Sequence, residues 1–127
     1  MGYRILVVDD SKLARMAIAK ALNTLHPDWT RIEATNAPEA LALAKGGDID
    51  LVLLDVNMPG GDGLNLAGAL RDLNPAMPVA VISANHQKEI VARSHEMGAA
   101  FLAKPVTREA LGEFLDGAVD RLKAAGR

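Results

Sequence analysis

The sequence predicts an α/β fold in which short buried strands run parallel and alternate with amphipathic helices. Three observations carry that prediction. Ile5-Leu6-Val7-Val8, Leu51-Val52-Leu53-Leu54 and Val79-Ala80-Val81-Ile82 are apolar without alternation, as expected of parallel strands covered on both faces. Helical periodicity fills the intervals between them. Each run then stops at a polar residue: Asp9 and Asp10, Asp55, Ser83 and, after Phe101-Leu102-Ala103, Lys104.

The elements follow in order. After the first strand, Leu13, Ala14, Ala17, Ile18, Ala21 and Leu25 form an apolar helical stripe that leaves Lys12, Arg15, Lys20 and Asn23 for water. Arg31-Ile32-Glu33-Ala34 reads as a second strand with one face less buried. Asn36 with Glu39 three residues on predicts a capping box, and Gly46-Gly47 supplies a left-handed stop. Pro59, Gly60, Gly61 and Gly63 make the segment after Asp55 a loop, with a helix resuming around Leu64. Gly98 ends the next helix before the strand at Phe101, and Leu111, Leu115, Ala118 and Leu122 form the last stripe. The pattern is βα five times, with right-handed crossovers.

Composition bounds the function. A chain of 127 residues is the size of a single domain, so residues 1–127 are expected to form one unit with no second folded module. Half the residues are hydrophobic and 24% charged, an ordinary globular composition, and a net charge of -2 provides no basic face for direct nucleic-acid binding. The absence of cysteine excludes disulfides and thiolate metal sites. The first apolar run is too short for a signal peptide or a membrane span, and Leu6 breaks the myristoylation pattern. The expected location is cytoplasmic, without a membrane partner.

In a parallel sheet the carboxyl ends of the strands share one edge, where open α/β folds bind ligands. Three acids, a hydroxyl and an ammonium converge there. Two carboxylates about 4 Å apart repel by about 4 kcal/mol at an effective dielectric near 20, so such a cluster takes up protons or a cation. Few carboxylates with room for water suit Mg²⁺, with Mn²⁺ as a substitute. Once the charge is neutralised, one carboxylate can act as a nucleophile toward a phosphoryl group. Asp55 is the choice, because the adjacent Asp9-Asp10 pair is better disposed to hold the ion.

These residues also carry a resemblance. Val7-Val8-Asp9-Asp10-Ser11, Leu54-Asp55-Val56-Asn57-Met58-Pro59-Gly60-Gly61-Asp62-Gly63, Ser83-Ala84 and Lys104-Pro105 stand in order at predicted strand ends. From Tyr3 to about Lys123 the chain resembles the receiver domain of two-component response regulators, in particular single-domain members such as the chemotaxis regulator. The resemblance implies a five-stranded parallel sheet of order 2-1-3-4-5 with helices on both faces, the flavodoxin-like doubly wound arrangement that serves as a standard example of this strand order.

Position by position, the resemblance implies Asp55 as phosphoacceptor, Asp10 as a direct Mg²⁺ ligand, Asp9 as a ligand acting largely through water, and Asn57 as a ligand through its backbone carbonyl. It implies that Ser83 bonds the phosphoryl oxygen, that Lys104 pairs with the phosphate, and that the bond before Pro105 is cis. Asn57 and Asn85 sit where the family tunes access of hydrolytic water. Phe101 occupies the aromatic switch position, where relatives often carry Tyr, so a switch here works through packing. The implied phosphate donor is a phosphohistidine on a sensor histidine kinase or a phosphotransfer protein. The implied output is a protein target bound by the fourth helix, fifth strand and fifth helix, with no output domain of the chain's own and no catalysis beyond its own phosphorylation and dephosphorylation.

Rival readings turn on single residues. A haloacid-dehalogenase-type phosphatase wants a second Asp two residues beyond the nucleophile, where this chain has Asn57. A flavin protein of the same topology needs a hydroxyl- and glycine-rich loop after the first strand, where Asp9 and Asp10 would repel a phosphate. A receiver serving only as an interaction module would not need an intact site, and this one is intact. Taken singly, Asp9 or Asp55 reads as a helix cap, Lys104 as a surface charge and Phe101 as core. His26, His86 and His95 lack ligand spacing and read as surface residues, and Trp29 reads as cover for an edge.

Overall fold

The computed structural model describes residues 2–56, 63–84 and 88–127. Among them, β1 (Arg4–Val8), β2 (Thr30–Ala34), β3 (Leu51–Asp55), β4 (Val79–Ser83) and β5 (Ala100–Ala103) alternate with α1 (Lys12–Leu25), α2 (Ala37–Lys45), α3 (Gly63–Leu73), α4 (Lys88–Glu96) and α5 (Arg108–Ala124). All pairings are parallel, in the order β2-β1-β3-β4-β5. The expected class and strand order are both present.

Strand alternation splits the core into two layers. Leu6, Val8, Val52, Leu54, Val79 and Val81 pack with Ala40, Leu64, Ala67 and Leu70 on the side of α2 and α3. Ile5, Val7, Leu51, Leu53, Ala80 and Ile82 pack with Ile18, Leu22, Leu111, Leu115 and Leu122 on the side of α1 and α5. Every residue of β3 and β4 is buried, which explains why their sequences show no polar alternation.

The helix ends are built by side chains. Asn36 accepts the Glu39 N–H at 2.8 Å, while the Glu39 carboxylate reaches back to the Thr35 N–H at 2.8 Å, one residue before the capping-box position. Ser11 and Thr107 cap α1 and α5 by accepting from Ala14 and Ala110. Gly98, at φ +76°, turns the chain from α4 into β5.

Several readings of the sequence are corrected. Gly63 belongs to α3 rather than to the preceding loop, and a Cβ there would lie 2.4 Å from the Val56 Cα, so only glycine allows the backbones to meet. Leu13 does not join the buried stripe of α1, being 80% exposed; that stripe is anchored by Ile18 and Leu22. Arg15 is not left to water, its side chain being only 14% exposed. His26 stacks on Trp29 with ring centroids 4.0 Å apart, and Tyr3 meets Trp29 edge-on at 5.5 Å. The readings made at Asn57, Met58, Pro59, Gly60, Gly61, Asn85 and His86 lie outside the described residues.

Candidate functional site

The order β1-β3-β4-β5 places the ends of four strands side by side, with Val8 opposite Leu54, Asp55 opposite Ile82 and Ser83 opposite Ala103. Asp9 follows β1, Asp55 and Ser83 close β3 and β4, and Lys104 follows β5. Asp9, Asp55 and Ser83 are buried, whereas Asp10 is exposed. One carboxylate oxygen from each of Asp9, Asp10 and Asp55 lies within 4.8 Å of the others. The Lys104 ammonium donates to Asp55 Oδ2 at 3.1 Å.

Local hydrogen bonds fix this arrangement. The Asp9 N–H donates to the Ala34 carbonyl at 3.1 Å, and Asp9 Oδ1 accepts the Ser11 N–H at 2.9 Å, tying the carboxylate to the start of α1. The Lys104 N–H donates to the Ser83 carbonyl at 3.0 Å, and the Lys104-Pro105 bond is cis as expected. A cleft of about 520 Å³ adjoins the cluster, lined by Asp9, Lys104 and small apolar residues of α1 such as Ala14, Ala17 and Ala21. Phe101 lies opposite Val81 and packs, half-buried, against the layer on the α2 and α3 side.

Burial pushes the Asp9 carboxyl above the usual carboxylate range. The Ser11 N–H opposes that shift, the neighbouring Asp55 charge adds to it and Lys104 opposes it. With all three acids ionised and one ammonium in contact, two negative charges remain uncompensated. A divalent cation fits that remainder. Oxygens on opposite sides of an octahedral Mg²⁺ lie about 4.2 Å apart, close to the span of the cluster, and the exposed Asp10 leaves a side for retained water.

Of the residues expected at the site, the structure brings Asp9, Asp10, Asp55 and Lys104 together, with Ser83 at the adjacent strand end. Asn57 and Asn85 lie outside the described residues. Sequence reasoning missed two features. Ser11 carried a readable signal, a hydroxyl residue directly before an apolar helical stripe. Arg15 carried none, because its partner Glu33 is distant in sequence: Arg15 Nε donates to Glu33 Oε1 and its Nη1 to the Asp9 carbonyl, both at 2.7 Å.

Residues 5–116 match the family model described as the response regulator receiver domain. The chain belongs to that family. It is 36% identical over 123 residues to the glycerol metabolism activator of Pseudomonas putida, covering 92% of this chain and 56% of the relative. It is 38% identical over 132 residues to a protein-glutamate methylesterase/protein-glutamine glutaminase of Bordetella pertussis, covering 98% of this chain and 37% of the relative. The chain thus spans about half or less of the length of these curated relatives.

Among solved structures, a CheY-like response regulator receiver domain protein from Methanospirillum hungatei JF-1 superposes with a TM-score of 0.88 at 25% identity, over 98% of this chain and 99% of that one. A response regulator from Thermotoga maritima gives 0.82 at 30% identity, over 94% and 99%. The receiver is a module of two-component signalling, and aspartate phosphorylation and Mg²⁺ binding are general to the family. No helix among the described residues is long and apolar enough to cross a membrane.

Proposed function

We propose that this receiver accepts a phosphoryl group on Asp55 from a phosphohistidine donor, a sensor histidine kinase or a phosphotransfer protein, and passes the change to a protein target. The observation that carries the reading is the buried Asp55 carboxylate, held within 4.8 Å of two further acids and 3.1 Å from an ammonium. The carboxylate is aimed by its neighbours while the strand ends fix its place, which is what phosphoryl transfer asks of a protein.

Asp9, Asp10, Asp55 and the Asn57 carbonyl would hold the Mg²⁺, or Mn²⁺ in its place. When bound, the ion supplies charge neutralisation for the acids and for the incoming phosphoryl oxygens. An Asp55 oxygen attacks phosphorus, and the P–N bond to the donor imidazole breaks. The electron pair stays on the imidazole nitrogen, leaving an acyl phosphate on Asp55. Lys104 moves its charge from the Asp55 carboxylate to the phosphate, and Ser83 donates its hydroxyl to a phosphoryl oxygen. The added charge of about -1.5 to -2 reorganises the edge, and Phe101 repacks with it. The surface of α4, β5 and α5 delivers the state to the target.

Leu13 and Met16, 80% and 57% exposed on α1, the helix that follows Asp9 and Asp10, support docking of a protein donor there. Asn57 and Asn85 tune the lifetime of the acyl phosphate. The proposal extends to the receiver working in the cytoplasm, with its own phosphorylation and dephosphorylation as its chemistry and no direct nucleic-acid or membrane contact through these residues. Incubation with Mg²⁺ and acetyl phosphate, followed by intact mass, tests the chemistry. A base-labile phosphoryl adduct is expected on the wild-type chain and not on Asp55→Asn; an equal adduct on the variant would reject Asp55.

A further inference from the structure

The geometry points to Arg15 as a positioning residue of the cation site, acting through the backbone of Asp9 and itself aimed by Glu33. Three observations combine. Arg15 Nη1 donates to the Asp9 carbonyl at 2.7 Å, at the point where β1 gives way to the acidic pair. Its Nε donates to Glu33 Oε1 at 2.7 Å, and Glu33 sits on β2 opposite Val7. Arg31 donates to the other Glu33 oxygen at 3.2 Å, which fixes the carboxylate between two guanidinium groups.

The effect on Asp9 is to clamp it from both sides. Its carboxylate accepts from Ser11 and its carbonyl from Arg15, so the peptide that connects Asp9 to Asp10 has little freedom to turn. A planar guanidinium can serve two acceptors in fixed directions, which an ammonium cannot do as rigidly. The guanidinium is largely screened from water, so the bond is not a loose surface contact. Groups that orient metal ligands without touching the ion commonly cost 10- to 100-fold in metal affinity when removed. Arg15 grips the backbone and not the ligand oxygen, which places the expected loss near the lower end.

The sign of the effect separates this role from simple electrostatics. Deleting a cation beside a cation site should, by Coulomb's law alone, tighten divalent-ion binding. Positioning requires the opposite.

The inference rests on the reading of Asp9, Asp10 and Asp55 as a cation site, and the test separates the two. Mn²⁺ is titrated into the wild-type chain, Arg15→Ala, Arg15→Lys, Glu33→Gln and the double variant Arg15→Ala/Glu33→Gln, and the free-ion electron paramagnetic resonance signal is followed. Thermal melts in EDTA accompany each. Arg15→Ala is expected to weaken binding about 10-fold, with Arg15→Lys between it and wild type. Glu33→Gln is expected to weaken it two- to threefold alone and not at all when Arg15 is already Ala. Equal or tighter binding by folded Arg15→Ala overturns the role. So does a loss from Glu33→Gln that persists undiminished in the double variant; should Arg15→Ala bind too weakly to measure, binding by Arg15→Lys equal to or tighter than wild type overturns it. If Arg15→Ala fails to fold, unchanged binding by both Arg15→Lys and Glu33→Gln overturns it. Wild-type protein that binds no Mn²⁺ would instead overturn the cation reading itself.

Discussion

Replacing Asp9 by Asn removes one negative charge from the acidic cluster and keeps an oxygen to accept the Ser11 N–H. Carboxylate pairs at the 4.8 Å span of the cluster repel by about 3–4 kcal/mol each at an effective dielectric near 20. The Lys104 contact to Asp55 and the water around exposed Asp10 offset much of this, leaving about 1–2 kcal/mol of net destabilisation from ionised Asp9 without metal. Asp9→Asn is therefore expected to raise the melting temperature in EDTA at pH 7 by about 3–8 °C for a domain of this size.

The pH dependence has a defined sign. The folded-state value of Asp9 is raised above its ordinary 3.8, so the folded chain binds more protons across that window. Metal-free stability should fall as pH rises from about 3.8 through the folded-state value, and this part of the slope should vanish in Asp9→Asn. On the proposed ligand set, Mg²⁺ at 100 times its dissociation constant would add about 2.7 kcal/mol to the wild type and less to the variant, so the gap should close or invert. Circular-dichroism melts with EDTA and with Mg²⁺ make the comparison. An Asp9→Asn protein that melts at or below the wild type in EDTA would refute the electrostatic reasoning.

Lys104→Met takes the only ammonium in contact with Asp55 among the described residues out of the cluster; it should tighten Mn²⁺ binding severalfold by titration while slowing phosphorylation by acetyl phosphate at saturating metal. Gly63→Ala forces a Cβ against the Val56 Cα and should lower stability by about 2 kcal/mol or more in urea unfolding. The Arg15 contact holds the Glu33 carboxyl below its ordinary 4.5. Its stabilisation, about 0.5 kcal/mol after allowance for exposure, is present above 4.5 and lost as pH falls through the folded-state value, so Glu33→Gln should flatten that part of the acid limb.

The sheet and the acidic edge were legible because they depend on local signals. Val52, Leu53 and Leu54 declare a strand buried on both faces by having no polar neighbour among them, and Asp55 declares the strand end by breaking the run. Asn36 declares its cap through Glu39, although the carboxylate reaches Thr35, because a side chain can find a neighbouring N–H that sequence spacing does not specify. Leu13 was misread because helical periodicity gives a face but not the extent of the sheet beneath it, and α1 buries Ile18 and Leu22, further along, in its place. Arg15 was misread because its burial comes from Glu33, a partner 18 residues away on another element. The shared edge of Asp9, Asp10 and Asp55 was readable from the parallel strand ends, whereas the strand order that sets β1 beside β3 came from family resemblance.

The central claim is that Asp55 carries a reversible acyl phosphate in a reaction that depends on its acidic neighbours. Borohydride reduction of protein treated with a phosphodonor, followed by peptide mass mapping, locates an acyl phosphate by converting the modified aspartate to homoserine. Conversion at position 55 with Mg²⁺, and its loss in EDTA, is the predicted result. Conversion at Asp9 or Asp10, or none at position 55 in protein that binds the metal, would contradict the account.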